Sequence, residues 1–314
     1  MRERRATGRG RGAPPADDLL SSSVEALAVL LDAGIAPRSA WQHAGAEARH
    51  PAIVRVAALI GAGTPPAEAL AAASVRGDGG GLAAIAAAWD VAEQAGAALA
   101  PALRGAAESL RDRADAERDV ATALAGPRAT ARLMAWLPVV GVVMAYVIGV
   151  DVVGALIGGP LGWAAGIGGA VLLLGGRAWT RRLLCDASRS GPVAGAGQDL
   201  VAIALAGGLS APAACAIAED AAHRAGLAVQ VTGDGSVARV LGIAERAGAP
   251  AIESLTAEAR QERRTARADG RRKAELLAVR LLLPLGVCVL PAFVLLGVVP
   301  VVLAMMSSTF AGLG

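Results

Sequence analysis

The chain has 314 residues, of which 54% are hydrophobic, 3% aromatic and 18% charged, with a formal net charge of +3. This length accommodates two modest domains, and a mix rich in alanine, leucine, valine and glycine favours helices packed closely through small side chains. Cys185, Cys215 and Cys288 share no CxxC or metal-ligand spacing, which argues against a disulfide framework and reads each as a small buried hydrophobe.

In chain order, residues 1–16 are basic and rich in Gly and Pro, and read as a disordered tail. The stretch that follows carries Glu25 and Asp32 within its apolar run and no small-residue cleavage site, so a cleaved signal is not expected. From Asp17 the pattern is helical. Leu20, Val24, Leu27 and Leu31 share a face, with Asp17 and Asp18 at the start and Gly34 at the stop. Pro37, Pro51 and Pro65–Pro66 each suit the first turn of a further helix. After the loop "RGDGGG", Arg76 to Gly81, helices are expected over Leu82–Gly96 and about Leu99–Leu124. These make a first helical module, 17–130.

Residues 133–176 are too apolar and too long for one crossing of a hydrocarbon core of about 30 Å. Asp151, Gly154 and Gly158–Gly159–Pro160 interrupt them, so the reading is a hairpin over 131–176, with spans near 131–150 and 155–176 and a turn at Asp151. A second, shortened helical module follows over 186–275. The stretch 277–306 reads as a third span bent by Pro284, Pro291 and Pro300, ahead of a tail at 307–314. Basic residues flank the spans on one side: Arg128 and Arg132, then Arg177, Arg181 and Arg182, then Arg271, Arg272, Lys273 and Arg280. Positive residues stay inside, which places the N-terminus and both modules in the cytoplasm and the C-terminus outside, in a multi-pass inner-membrane protein.

One phrase occurs twice: "VAEQAGA" at Val91–Ala97 and "IAERAGA" at Ile243–Ala249, with Gly248 − Gly96 = 152 positions between copies. The apolar face repeats at the same offset, with Ile85, Trp89, Ala92 and Gly96 answered by Val237, Leu241, Ala244 and Gly248. The chain is therefore read as a tandem duplication, all-α, of helical module plus membrane helix, with one additional helix to return it to the cytoplasm. Gly96 and Gly248 either end a helix in the left-handed conformation or admit a close backbone. Glu93 and Glu245 are candidate contacts for a partner, the bland alternative being an inter-helix salt bridge or a solvated face. Near the third span, Arg263, Arg264, Arg267, Arg271, Arg272 and Lys273 form a basic membrane-proximal face suited to anionic lipid or a docking protein. Without interleaved aromatics, nucleic acid is not expected.

Nothing in the chain resembles a catalytic or cofactor site. His43, His50 and His223 lack metal spacing, "GDGGG" lacks the Lys-Ser/Thr of a phosphate loop, and no GxSxG elbow occurs. The expectation is no enzyme, no cofactor and no metal. The spans hold almost no ionisable group at mid-depth, which disfavours the alternative of a small transporter or channel. A regulatory membrane scaffold is the other alternative. The glycine pairs in Gly154–Ala170 suit tight helix packing within or between chains.

The duplicated module, the "GIAP" and "GLSAP" turns, the paired "AEQAG" and "AERAG" phrases and the order module–span–span–module–span resemble the type II secretion system F-domain family of inner-membrane platform proteins. The stretches "GVDVVGALIGGPLGWAAGIGGAVLLLGGRAWTRRLL" and "LLLPLGVCVLPAFVLLGVVPVVLAMM" are similar to its tight-adherence (Flp) pilus branch, the TadB/TadC-like proteins of actinobacteria. The resemblance implies helical cytoplasmic bundles without catalysis, which transmit work from a separate secretion ATPase to pilin-like subunits. It also implies association with another platform protein or with itself. The family's motif glutamates and glycines fall on Glu93, Gly96, Glu245 and Gly248.

Overall fold

The computed structural model describes residues 16–74, 80–147, 154, 160–187, 193–227, 229, 231 and 235–302. The tails at 1–15 and 307–314, the turn at Asp151, and parts of the loops at 76–81 and 232–236 lie outside the described residues. Every regular element described is helical: α1 (Ala16–Asp32), α2 (Pro37–Glu47), α3 (Pro51–Gly61), α4 (Pro66–Ala73), α5 (Gly81–Ala95), α6 (Leu99–Ala123), α7 (Ala125–Val147), α8 (Pro160–Ala187), α9 (Ala196–Ala206), α10 (Ala211–Arg224), α11 (Ser236–Ala247) and α12 (Ala251–Arg280). The expected punctuation is where the helices start and stop. Proline occupies the first turn of α2, α3 and α4, where its missing N–H costs nothing and its fixed φ suits the helix.

The chain divides into two compact units, one drawn from Met1–Arg118 and Ser190–Ala268, the other from Asp119–Arg189 and Asp269–Gly314. Both copies of the helical pattern thus contribute to the first unit. Its core is continuous across them and includes Leu20, Leu27, Trp41, Ile53, Leu70, Ile85, Trp89, Leu103, Val201, Ala218, Val237 and Leu255. Trp41 and Trp89 meet at a centroid distance of 5.8 Å and an interplanar angle of 49°, a tilted pairing that suits the aromatic quadrupoles. Helix α5 is buried along almost its whole length, packed by α4 on one side and by α9 and α10 of the second copy on others. At its C-terminal end the approach is so close that a Cβ at Gly207 would overlap the Ala95 carbonyl. Arg224 of α10 reaches Asp90 of α5 at 2.9 Å.

Helices α1 and α6 run antiparallel and are laced by ion pairs at heptad intervals on both strands of the pairing. Arg118 meets Asp18 at 2.8 Å, Arg111 meets Glu25, and Arg104 meets Asp32 at 2.7 Å. A fourth pair, Arg113 with Asp17 at 3.1 Å, lies under the start of α1 and is largely buried. The middle rung recurs in the second copy, where Arg263 of α12 holds Asp199 of α9 at 2.7 Å. The arginines are 263 − 111 = 152 apart, the offset of the repeated phrase. The acids are 199 − 25 = 174 apart, so the second copy is 174 − 152 = 22 residues shorter between rung and phrase. The missing length matches α3 and α4, for which no helix stands between α10 and α11 among the described residues.

In the second unit a small buried cluster, Leu124, Ala274, Leu277 and Leu281, is accompanied by glycines at close helix contacts and by many large apolar side chains that face outward. Gly141 faces the Phe293 ring, and a Cβ at Gly169 or Gly176 of α8 would crowd Leu296 or Cys288. Outward stand Leu133 (79% exposed), Trp136, Val140, Val143 and Val147 along α7, and Trp163, Ile167, Val171 and Leu174 along α8. After α12 the path continues helically through Leu282–Pro284 and Leu290–Phe293, separated and followed by π-helical turns at Leu285–Val289 and Val294–Val298. Each π turn precedes a proline, Pro291 or Pro300. Proline lacks an N–H and clashes with the carbonyl four residues back, and a widened turn accommodates both. Among the described residues no helix is long and apolar enough to cross a membrane.

Candidate docking cleft

The two copies of the repeated phrase end their helices identically. Gly96 closes α5 at φ 67° and Gly248 closes α11 at φ 64°, both left-handed. Behind each glycine the next N–H reaches back to the same relative carbonyl: Ala97 to Ala92 at 2.9 Å and Ala249 to Ala244 at 2.9 Å. This is the glycine-terminated helix end that satisfies otherwise orphaned carbonyls. No atom lies within 4 Å of where a Cβ would stand at either glycine. Of the two roles a glycine could have here, chain reversal is the one the geometry displays.

The environments of the two glutamates differ. In the first copy, Glu93 sits in the last turn of α5, and its Oε2 accepts a hydrogen bond from Trp89 Nε1 at 3.2 Å. It borders a cleft of about 320 Å³ walled by Pro37 and Arg38 at the start of α2, Ile60 and Gly63 at the end of α3, Pro65 and Pro66, Trp89 and Leu99. Three prolines stiffen these walls because each has a fixed φ. Both glutamates are exposed, but in the second copy no helix stands, among the described residues, where the counterparts of α3 and α4 would wall a cleft. A contrast appears two residues earlier, where Val91 is fully buried and its mate Ile243 is 51% exposed.

The basic residues of α12 separate into two groups. Arg263 turns inward, 8% exposed, between Asp112 and Asp199, and so leaves the basic face on which its spacing placed it. Arg271 pairs with Asp119 at 2.8 Å. Arg264, Arg272 and Lys273 are exposed, and Arg267 is partly covered. Asp199 also accepts from Ser109 Oγ at 3.2 Å. Its carboxyl is pushed above its ordinary value, chiefly by burial, which the neighbouring Arg263 only partly offsets. Beside it Gln198 donates to both Ser236 and Glu262, and Glu262 accepts from the Gly195 N–H. Helix α9 is thereby clamped to α12. A second cavity, about 510 Å³, opens between α5, α6, α9 and α12, with Ser109 and Asp199 on its wall.

Neither the heptad ladder between α1 and α6 nor this clamp was anticipated. The signal for the ladder is present as acids at 18, 25 and 32 and arginines at 104, 111 and 118. Among the described residues, no group of three or more His, Cys, Asp or Glu is arranged to hold a metal ion.

Compared with known proteins, residues 24–147 match the model of a family described as type II secretion system (T2SS), protein F. The matched stretch runs from α1 through the cleft to the end of α7, and it supports the F-domain family. No curated protein and no solved structure matches the chain.

Proposed function

We propose that this protein is a non-enzymatic membrane platform for secretion or pilus assembly, of the tight-adherence (Flp) type. In this reading the first unit is cytoplasmic and receives a separate secretion ATPase. The second unit sits in the inner membrane as three spans and acts on pilin-like subunits, alongside another platform protein or a second copy of itself. The observation that carries the reading is a continuity. The stretch similar to the secretion family passes from the cleft into α7, where Leu133, Trp136, Val140, Val143 and Val147 face outward and Gly141 packs against Phe293. Water does not favour so much contiguous apolar surface, whereas lipid tails are as apolar as those side chains, and helices in lipid associate through small residues.

The same geometry suggests how work would be passed along. Glu93 lies on α5, the Ala95 end of α5 is seated against Gly207 of α9, and α9 is clamped to α12 by Arg263 and Glu262. Helix α12 leads directly into the third apolar stretch. A push at the cleft would thus be carried through packed helices of the first unit to α12.

Two measurements test the reading. Reporter fusions at residue 200 and at Gly314 are expected to lie on opposite sides of the inner membrane, and a common side overturns the three-span topology. The full-length protein in detergent is expected to retain the secretion ATPase of its own cell, and deletion of its gene to leave pilin in the membrane. Normal assembly in the deletion strain rules the platform role out.

A further inference from the structure

We infer that one end of the second unit is a site for anionic phospholipid, with the phosphate held by cations of α8 and α12 and the acyl chains laid along the apolar side chains beyond them. The inference rests on the membrane placement of this unit and adds the chemistry of the lipid. Packing draws the cations together. Leu183, near the end of α8, packs against the buried cluster of Leu124, Ala274, Leu277 and Leu281. A Cβ at Gly270 of α12 would lie 3.7 Å from Val120. The start of α7, the end of α8 and the later part of α12 therefore share one end of the unit. Arg181 and Arg182 precede Leu183, Arg272 and Lys273 precede Ala274, and all four are exposed.

The charge at this end is one-sided. Over 119–132, 177–189 and 269–280, ten basic residues stand against four acidic ones, Asp119, Asp186, Asp269 and Glu275. The segments that follow the opposite ends of these helices, 148–159 and 299–314, carry only Asp151. Arg271 takes Asp119 at 2.8 Å. Asp269 and Glu275 are exposed on α12 among the cations, too few to neutralise them.

What the cations border selects the ligand. On each helix the charge gives way within about one or two turns to large exposed apolar side chains. Arg132 is followed by Leu133 and Trp136 on α7, Arg177 is preceded by Leu174 and Val171 on α8, and Lys273 is followed by Leu276 and Val279 on α12. Trp179 is exposed among the α8 arginines, and tryptophan favours the level where headgroups meet hydrocarbon. Arg280 lies beyond Leu276 and Val279, and its long stem lets the guanidinium reach back toward the phosphates. Free phosphate or nucleic acid would leave the apolar band uncovered, and a zwitterionic lipid would offer the cations no net charge. An amphiphile with an anionic head matches both parts. Arg260 and Arg264 are an internal control. They are exposed on the part of α12 that belongs to the first unit, beside Ala257, Gln261, Thr265 and Ala268, with no large apolar neighbour among these.

The test places the full-length protein in phosphatidylcholine bilayers with a trace of spin-labelled phosphatidylglycerol or spin-labelled phosphatidylcholine. Electron spin resonance then compares the motionally restricted fraction of each. Phosphatidylglycerol is expected to associate about fivefold more strongly. The variant combining Arg181→Gln, Arg182→Gln, Arg272→Gln and Lys273→Gln changes only exposed side chains, and is expected to bring the preference below about twofold. Arg260→Gln with Arg264→Gln is expected to leave it unchanged. Equal association of the two lipids with wild type, a preference that survives the fourfold variant, or an equal fall in the Arg260 and Arg264 variant overturns the site. Inorganic phosphate that displaces restricted phosphatidylglycerol more than sodium chloride does at the same ionic strength assigns the cations to a soluble anion, and also overturns it. Restricted lipid without headgroup preference removes the site and leaves the membrane placement standing, whereas no restricted lipid of either kind removes both.

Discussion

The rung shared by the two copies offers a controlled comparison, because the same ion pair is exposed in one setting and covered in the other. Arg111 and Glu25 are 47% and 46% exposed, whereas Arg263 and Asp199 are 8% and 25% exposed. An exposed pair contributes about 0.2–1 kcal/mol, and reversing Arg111 to Glu adds a like-charge contact of similar size. Arg111→Glu should therefore cost about 1–2 kcal/mol, and the swap Arg111→Glu with Glu25→Arg should recover most of that. Arg263→Ala leaves two acids, the half-exposed Asp112 and the more covered Asp199, facing the emptied position of a buried guanidinium. Breaking a buried pair from one side costs about 3–5 kcal/mol. The assay is urea unfolding of the full-length protein in detergent, followed by tryptophan fluorescence, for which the buried Trp41–Trp89 pair is a core reporter. Added salt at about 0.5 M, where the screening length is about 4 Å, should weaken the exposed Arg111 effect and largely spare the Arg263 effect. Equal costs for the two arginines, or a swap that restores nothing, would refute the assignment of the ladder as a surface zipper and of Arg263 as a structural clamp.

Three further outcomes follow from other positions. Gly207→Ala inserts a methyl into the Ala95 carbonyl and should destabilise by about 1–3 kcal/mol, read in the same unfolding assay. At Gly96 the space is open but φ is positive, so Gly96→Ala should cost only the left-handed strain of about 1–2 kcal/mol. Gly248→Ala should match it, since the two ends share one geometry, and a large difference between the variants would contradict that equivalence. Asp199 has a folded-state pKa raised above its ordinary 3.8, mainly by burial. Its contribution to stability is therefore fully present below that value and is lost as pH rises through the raised folded value. The stability of wild type relative to Asp199→Asn should accordingly be greatest below the ordinary carboxylate value and decline as pH rises through the raised folded value; a difference that grows with pH excludes burial as the dominant influence.

What could be read in the sequence was local, and what could not be read was pairing. Prolines at 37, 51 and 66 and glycines at 34, 96 and 248 act on their own backbone, so helix starts and stops were visible without knowledge of the fold. The repeat was visible because its offset is constant from Gly96/Gly248 to Arg111/Arg263. The contact between Gly207 and Ala95 joins different copies across more than a hundred residues, and nothing local to either residue marks it. The basic face of α12 shows the same limit. Arg263 and Arg264 are chemically identical and differ in facing by one helical step of about 100°, yet one is a buried clamp and the other is exposed. Composition assigns both to a membrane-proximal face, and only the position of Asp112 and Asp199 separates them. The cleft at Glu93 belongs to the same class. Its glutamate is in the repeated phrase, but its walls come from α2, α3 and the loop before α4, the region the second copy has lost. One phrase thus occurs twice while its surroundings occur once. The phrase itself terminates a helix, which both copies need, whereas the walled cleft needs the facing helix end as well, which only the first has.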